Sequence, residues 1–89
     1  MVTVKIPTQL RPSTDGRSEI ELEGSTVAEV LEALFTESPD LRERLTEDGR
    51  LRRFVNVYLG GEDIRFGDGL ETAVDDGSEL TILPAVAGG

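Results

Sequence analysis

Eighty-nine residues suffice for one domain, and a chain this short buries only about 60–65% of its unfolded surface, so the core is small and stability modest. The absence of cysteine and histidine excludes disulfides, thiolate nucleophiles, imidazole acid–base catalysis, zinc fingers and histidine-based metal sites. Eighteen acidic residues against nine basic give a net charge of −9, which repels nucleic acid and suits either solubility or docking on a protein with a basic face.

The start, Met1-Val2-Thr3-Val4-Lys5, lacks the apolar core of a signal peptide, and no apolar run approaches the ~18 residues of a membrane span. The chain is expected to be soluble and cytoplasmic, with no membrane partner. Val2, Val4 and Ile6 alternate with Thr3 and Lys5, the period of a half-buried strand, and Pro7 ends its pairing. Arg11 to Gly16 carries the Pro, Ser, Asp and Gly of a turn. Ile20 and Leu22 then alternate with Glu19, Glu21 and Glu23, so the two strands make a hairpin with one wet, acidic face.

A helix follows. Thr26 and Glu29 fit a capping box, with Ser25 as a competing cap. Val27, Val30, Leu31, Leu34 and Phe35 form a single apolar stripe, with Glu29 and Glu32 opposite. Ser38-Pro39 reads as a cap plus a first-turn proline, and Leu41 and Leu45 predict a short second helix or turn that Asp48-Gly49 stops. Phe54 to Leu59 is a third strand with Val55 and Val57 on one face, Gly60-Gly61 a tight hairpin turn, and Ile64 to Phe66 a short return strand. Gly67-Asp68-Gly69 and Asp76-Gly77 bracket a compact turn around Leu70, Ala73 and Val74. Glu79 to Leu83 is the last strand, with Leu80 and Ile82 on one face and Thr81 and Leu83 on the other.

One main helix must cover one face of a mixed sheet of four to five strands. A ferredoxin-like layout needs a second substantial helix, for which Pro39–Thr46 is too short. The expected fold is α+β, a β-grasp (ubiquitin-like) roll over residues 1–84 followed by a flexible C-terminal tail, 85–89.

That tail ends in Gly88-Gly89. With Gly near 7% of residues, two terminal glycines arise by chance in roughly 0.5% of chains. Glycine lacks a Cβ, so such an end can enter a channel too narrow for any other residue. Pro84 restricts Leu83 to extended conformations and cannot donate at its own nitrogen, so it ends the sheet and launches the tail. Val86 and Ala87 lie past the last strand, where contact with a partner's channel wall suits them better than a core. Leu83, on the more polar face, reads equally as a docking spot or as ordinary burial under a loop. Arg50, Arg52 and Arg53 form the one basic cluster, read as pairing with nearby carboxylates before any nucleotide or acidic partner. Glu62-Asp63 and Asp75-Asp76 flank turns and are read as solvated turn acids rather than metal or acid–base groups.

The run Phe54-Val55-Asn56-Val57-Tyr58-Leu59, the run Glu62-Asp63-Ile64-Arg65-Phe66, Asp76-Gly77 and the ending Leu83-Pro84-Ala85-Val86-Ala87-Gly88-Gly89 resemble the ubiquitin-like sulfur-carrier proteins of the ThiS/MoaD family. The resemblance extends over nearly the whole chain, including Val4-Lys5-Ile6-Pro7 and Leu10-Arg11-Pro12, and the Pro-x-Val-x-Gly-Gly spacing is its specific part. It implies that an E1-like adenylating enzyme joins the Gly89 carboxylate to AMP from MgATP, and that sulfide or a persulfide then displaces AMP. The resulting thiocarboxylate carries sulfur to a synthase, and a metalloprotease that releases product is a further implied partner. The chain itself would be no enzyme and hold no cofactor, since ATP and Mg belong to the activating enzyme. The resemblance also implies enzyme contacts at Leu59 and Leu83, with Pro84, Ala85, Val86 and Ala87 beside them. Cysteine formation from an activated serine derivative is the favoured destination, with thiazole, molybdopterin and sulfur-containing secondary metabolites as others. Two alternatives stand: a ubiquitin-like modifier joined through Gly89 to lysine, and an interaction domain that transfers nothing.

Overall fold

The computed structural model describes residues 1–52 and 54–84. Strands β1 (Val2–Lys5) and β2 (Glu19–Leu22) pair antiparallel, with Val4 opposite Ile20. The Ile6 amide extends the pairing by donating to the Ser18 carbonyl at 2.8 Å, immediately before Pro7. The link between the strands is a 3₁₀ segment, Thr8–Thr14, more ordered than the open turn expected from its composition. Its buried Thr14 hydroxyl bonds to the carbonyls of Arg11 and Arg17, which satisfies a polar group that would otherwise be costly inside.

Helix α1 (Val27–Glu37) buries the five apolar residues of the expected stripe. Thr26 is the N-cap, its hydroxyl accepting from the Glu29 amide at 3.2 Å. The reciprocal bond runs to Ser25, whose amide donates to the Glu29 carboxylate at 2.9 Å, so the two competing caps share the work. Helix α2 (Pro39–Leu45) starts at its proline and buries Leu41 and Leu45. Arg42 joins the two helices, pairing with Glu32 at 2.5 Å and lying 5.4 Å from the Phe35 ring centroid.

Asp48 and Gly49 do more than stop α2. Both have positive φ (54° and 79°) and form the turn of a small hairpin, β3 (Thr46–Glu47) with β4 (Arg50–Leu51), which the sequence reading did not anticipate. Strand β5 (Val55–Leu59) begins one residue later than expected, and Phe54 is exposed. The expected return strand at Ile64–Phe66 is instead a 3₁₀ turn, and the pairing is made by β6 (Glu62–Asp63) just before it. Gly60-Gly61 places Glu62 directly opposite Leu59, and the Asp63 side chain then caps the 3₁₀ turn and draws the chain away from the ladder. Strand β7 (Glu79–Pro84) completes the fold.

The sheet order is β2-β1-β7-β5-β6, with β7 in the centre, parallel to β1 and antiparallel to β5. Val2, Val4, Ile20, Leu22, Val55, Val57, Leu80 and Ile82 point from one face into a continuous core with the α1 stripe. The other face carries Lys5, Tyr58, Thr81 and Leu83, and no described helix covers it. This five-stranded mixed sheet packed on one main helix is the expected β-grasp.

Candidate functional site

The functional end expected from sequence leaves the described structure at Pro84. Strand β7 is held on both sides: Leu80, Thr81, Ile82, Leu83 and Pro84 stand opposite Leu59, Tyr58, Val57, Asn56 and Val55, while Glu79, Leu80 and Thr81 stand opposite Thr3, Val4 and Lys5. Pro84 has no N–H to give, and the amide of Val55 opposite it is already engaged, donating to the Arg52 carbonyl at 3.0 Å. The ladder therefore closes at this pair without an orphaned donor. Beyond Thr81 only β5 remains paired with β7, so the last pairs before the tail are held on one side. Ala85, Val86, Ala87, Gly88 and Gly89, and Arg53 of the basic cluster, lie outside the described residues.

Leu83 is 45% exposed on the open face, beside Asn56. Leu59 is half-buried on the opposite, helix-facing side and packs against the core. Strand alternation enforces the separation: Val55, Val57 and Leu59 share a face, whereas Asn56 and Tyr58 share the face of Leu83. One flat surface holding both leucines is not what the fold provides.

Next to Leu83 a polar network crosses from strand to turn. The Arg65 guanidinium donates to the Asp63 carboxylate at 2.9 and 3.2 Å and also to the side-chain amide oxygen of Asn56, while the Arg65 backbone amide donates to Asp63 at 2.8 Å. Asp63 is only 8% exposed, so it is not the solvated turn acid that sequence suggested. The side-chain bonds from Arg65, followed by the backbone bond, hold its carboxyl below the ordinary aspartate range. The signal was present as Asp-x-Arg, a turn in which the acid accepts from the amide two residues on. Asp75 and Asp76 are exposed as expected, and Asp76 pairs with the Met1 ammonium. Arg52 pairs with Glu47 at 3.8 Å, as the charge-pairing reading anticipated, whereas Arg50 makes no ion pair among the described residues.

Among the described residues no cluster of three or more acidic side chains could hold a metal ion, and no helix is long and apolar enough to cross a membrane.

A central strand ending in proline, one covering helix and an open, half-polar sheet face define a ubiquitin-like β-grasp protein. The ThiS family model matches residues 4–89, and the chain belongs to that family. It is 48% identical to the sulfur carrier protein CysO of Mycobacterium tuberculosis, over 99% of this chain and 98% of that one. Among solved structures, the BexX/CysO complex of Amycolatopsis orientalis matches with a TM-score of 0.90 at 48% identity, covering all of both chains. The small archaeal modifier protein 1 of Methanosarcina acetivorans gives a TM-score of 0.90 at 36% identity, over 99% of this chain and 95% of that one.

Proposed function

We propose that this chain is a sulfur-carrier protein, a protein co-substrate rather than a catalyst, whose reacting group is the Gly89 carboxylate. The observation that carries the reading is a full-length likeness to sulfur carriers that runs through Gly88-Gly89. The chemistry fits the residues. A carboxylate of pKa near 3.5 is ionised at neutral pH and is a poor electrophile. Its oxygen attacks the α-phosphorus of MgATP in an E1-like adenylating enzyme, and pyrophosphate leaves. Hydrosulfide then attacks the acyl carbon and expels AMP, leaving a thiocarboxylate. None of these steps asks for a Cys or His on the carrier, and this chain has neither. From Pro84, residues 85–89 can span up to ~17 Å at full extension, enough to reach a buried active site while the domain stays outside.

Leu83 and Pro84 are the proposed docking residues on the described domain, with Ala85, Val86 and Ala87 continuing into the enzyme's channel. Leu59 acts from beneath, fixing β5 against the core and so the register of β7. The sulfur acceptor we favour is an activated serine derivative, giving cysteine, and the cell compartment is the cytoplasm.

Intact-mass measurement tests the reading. Incubation with the adenylating enzyme of the same genome, MgATP and sulfide should give one oxygen-to-sulfur exchange on the C-terminal peptide, and deletion of Gly88-Gly89 should abolish it. An unchanged mass under those conditions refutes it. The likeness to an archaeal modifier protein favours a second reading, conjugation through Gly89 to lysine. Lysine-linked Gly-Gly remnants on other proteins, with no sulfur gained, would establish that one instead.

A further inference from the structure

Beside the end of β7 lies a cleft of about 480 Å³, within the range of sites that hold several side chains or a small ligand. Leu51, Val55, Val57, Ile64 and Leu70 supply its apolar lining, and Arg50, Arg52 and the Asp63–Arg65 pair line it as well. Three features distinguish it from an incidental groove. Arg50 is exposed and has no ion pair among the described residues, in a chain whose net charge is −9. Arg52 is held only by long contacts, to Glu47 at 3.8 Å and the Glu43 carbonyl at 3.5 Å, and its buried Nε bonds to no acceptor among the described residues. Finally, Val55 both lines the cleft and stands opposite Pro84, and neighbouring strands lie about 4.8 Å apart. An enzyme that engages Pro84 therefore comes within about one strand spacing of a residue of the cleft lining.

We propose that this cleft is a second docking site, which takes an acidic side chain and an adjacent apolar one from a segment of the adenylating enzyme. The proposal rests on the sulfur-carrier reading for its partner. The carboxylate meets Arg50 and the exposed outer edge of the Arg52 guanidinium, and the apolar neighbour covers Leu51 and Leu70. Arg65 contributes little charge, because Asp63 already neutralises it.

Steady-state adenylation with the same-genome enzyme tests it through the split between KM and kcat. Arg50→Glu and Leu70→Glu should each raise the KM for the carrier about tenfold, with kcat at saturating carrier unchanged. Arg50→Lys should stay near wild type, and Arg17→Glu, an equal charge change away from the cleft lining, should shift KM less than twofold. An unchanged KM for both Arg50→Glu and Leu70→Glu overturns the proposal. If wild-type chain is not adenylated at all, the sulfur-carrier reading has failed, and an NMR titration decides the cleft separately. The peptide Asp-Leu-Glu-Asp-Leu-Glu should then move the amides of Leu51, Val55 and Ile64, and Arg50→Glu should remove the effect. Shifts with AMP alone, or none, overturn the proposal.

Discussion

Asp63 is one of the carboxylates through which the fold is linked to pH on the acid side. It accepts three bonds from Arg65, two from the guanidinium and one from the backbone, and its oxygens are nearly sealed from water. The folded-state pKa is lowered, so the folded state favours the charged form more than the unfolded chain does. The stability it adds is complete above the unfolded aspartate pKa, near 3.9, and is lost as pH falls through the lower folded value. Urea unfolding from pH 6 downward should therefore show a loss of midpoint below about pH 4, shallower in Asp63→Asn. The same substitution leaves Arg65 holding only Asn56, which should loosen the turn beside Leu83. Identical pH slopes for the two proteins would mean that Arg65 does not hold the carboxylate in solution.

The packing of α1 on the sheet rests on a residue without a side chain. Gly24 follows β2 where the chain turns back toward the helix, and a Cβ there would lie 2.7 Å from Val30 Cγ2 and 2.9 Å from the Val30 amide nitrogen. The second contact is backbone, so no rotamer change relieves it. Gly24→Ala should cost about 1–3 kcal/mol by chemical denaturation, the usual penalty of overpacking, while keeping the fold. Helix α1 itself was legible in the sequence because one period, one cap and one apolar stripe agreed over eleven residues. The strands with strict alternation were legible for the same reason, and Leu83 was correctly placed on the polar face. The missed pairings were short. The Asp48-Gly49 hairpin and the displaced return strand each hang on two-residue pairings, too brief for periodicity to register. Gly24 meets Val30 in the next element and the cleft is lined between Gly49 and Leu70, but both depend on how the chain folds back through turns that no hydrophobic period announces.

At the scale of the whole molecule, charge acts at two distances. The described residues extend 32 Å along their longest axis, whereas screening at physiological salt sets in at about 8 Å. A partner far away therefore responds to the net charge of −9, and a partner in contact responds to what is local. Glu23, Asp75 and Asp76 gather beside Met1, while Arg50 and Arg52 line the cleft at the end where β7 finishes. Binding to the adenylating enzyme should associate more slowly as salt rises, through loss of steering toward a basic face. Arg50→Glu and Arg17→Glu each remove one positive and add one negative charge, so the net field changes equally in both. Their association rate constants at low salt should therefore rise together by a small factor. Only Arg50→Glu should also speed dissociation, because it alone removes a contact within the proposed cleft. Stopped-flow measurement of both rate constants from low to high salt separates the two effects. Association rates flat across that range would remove the steering argument. Equal dissociation rates for the two variants would leave the cleft with no part in holding the enzyme.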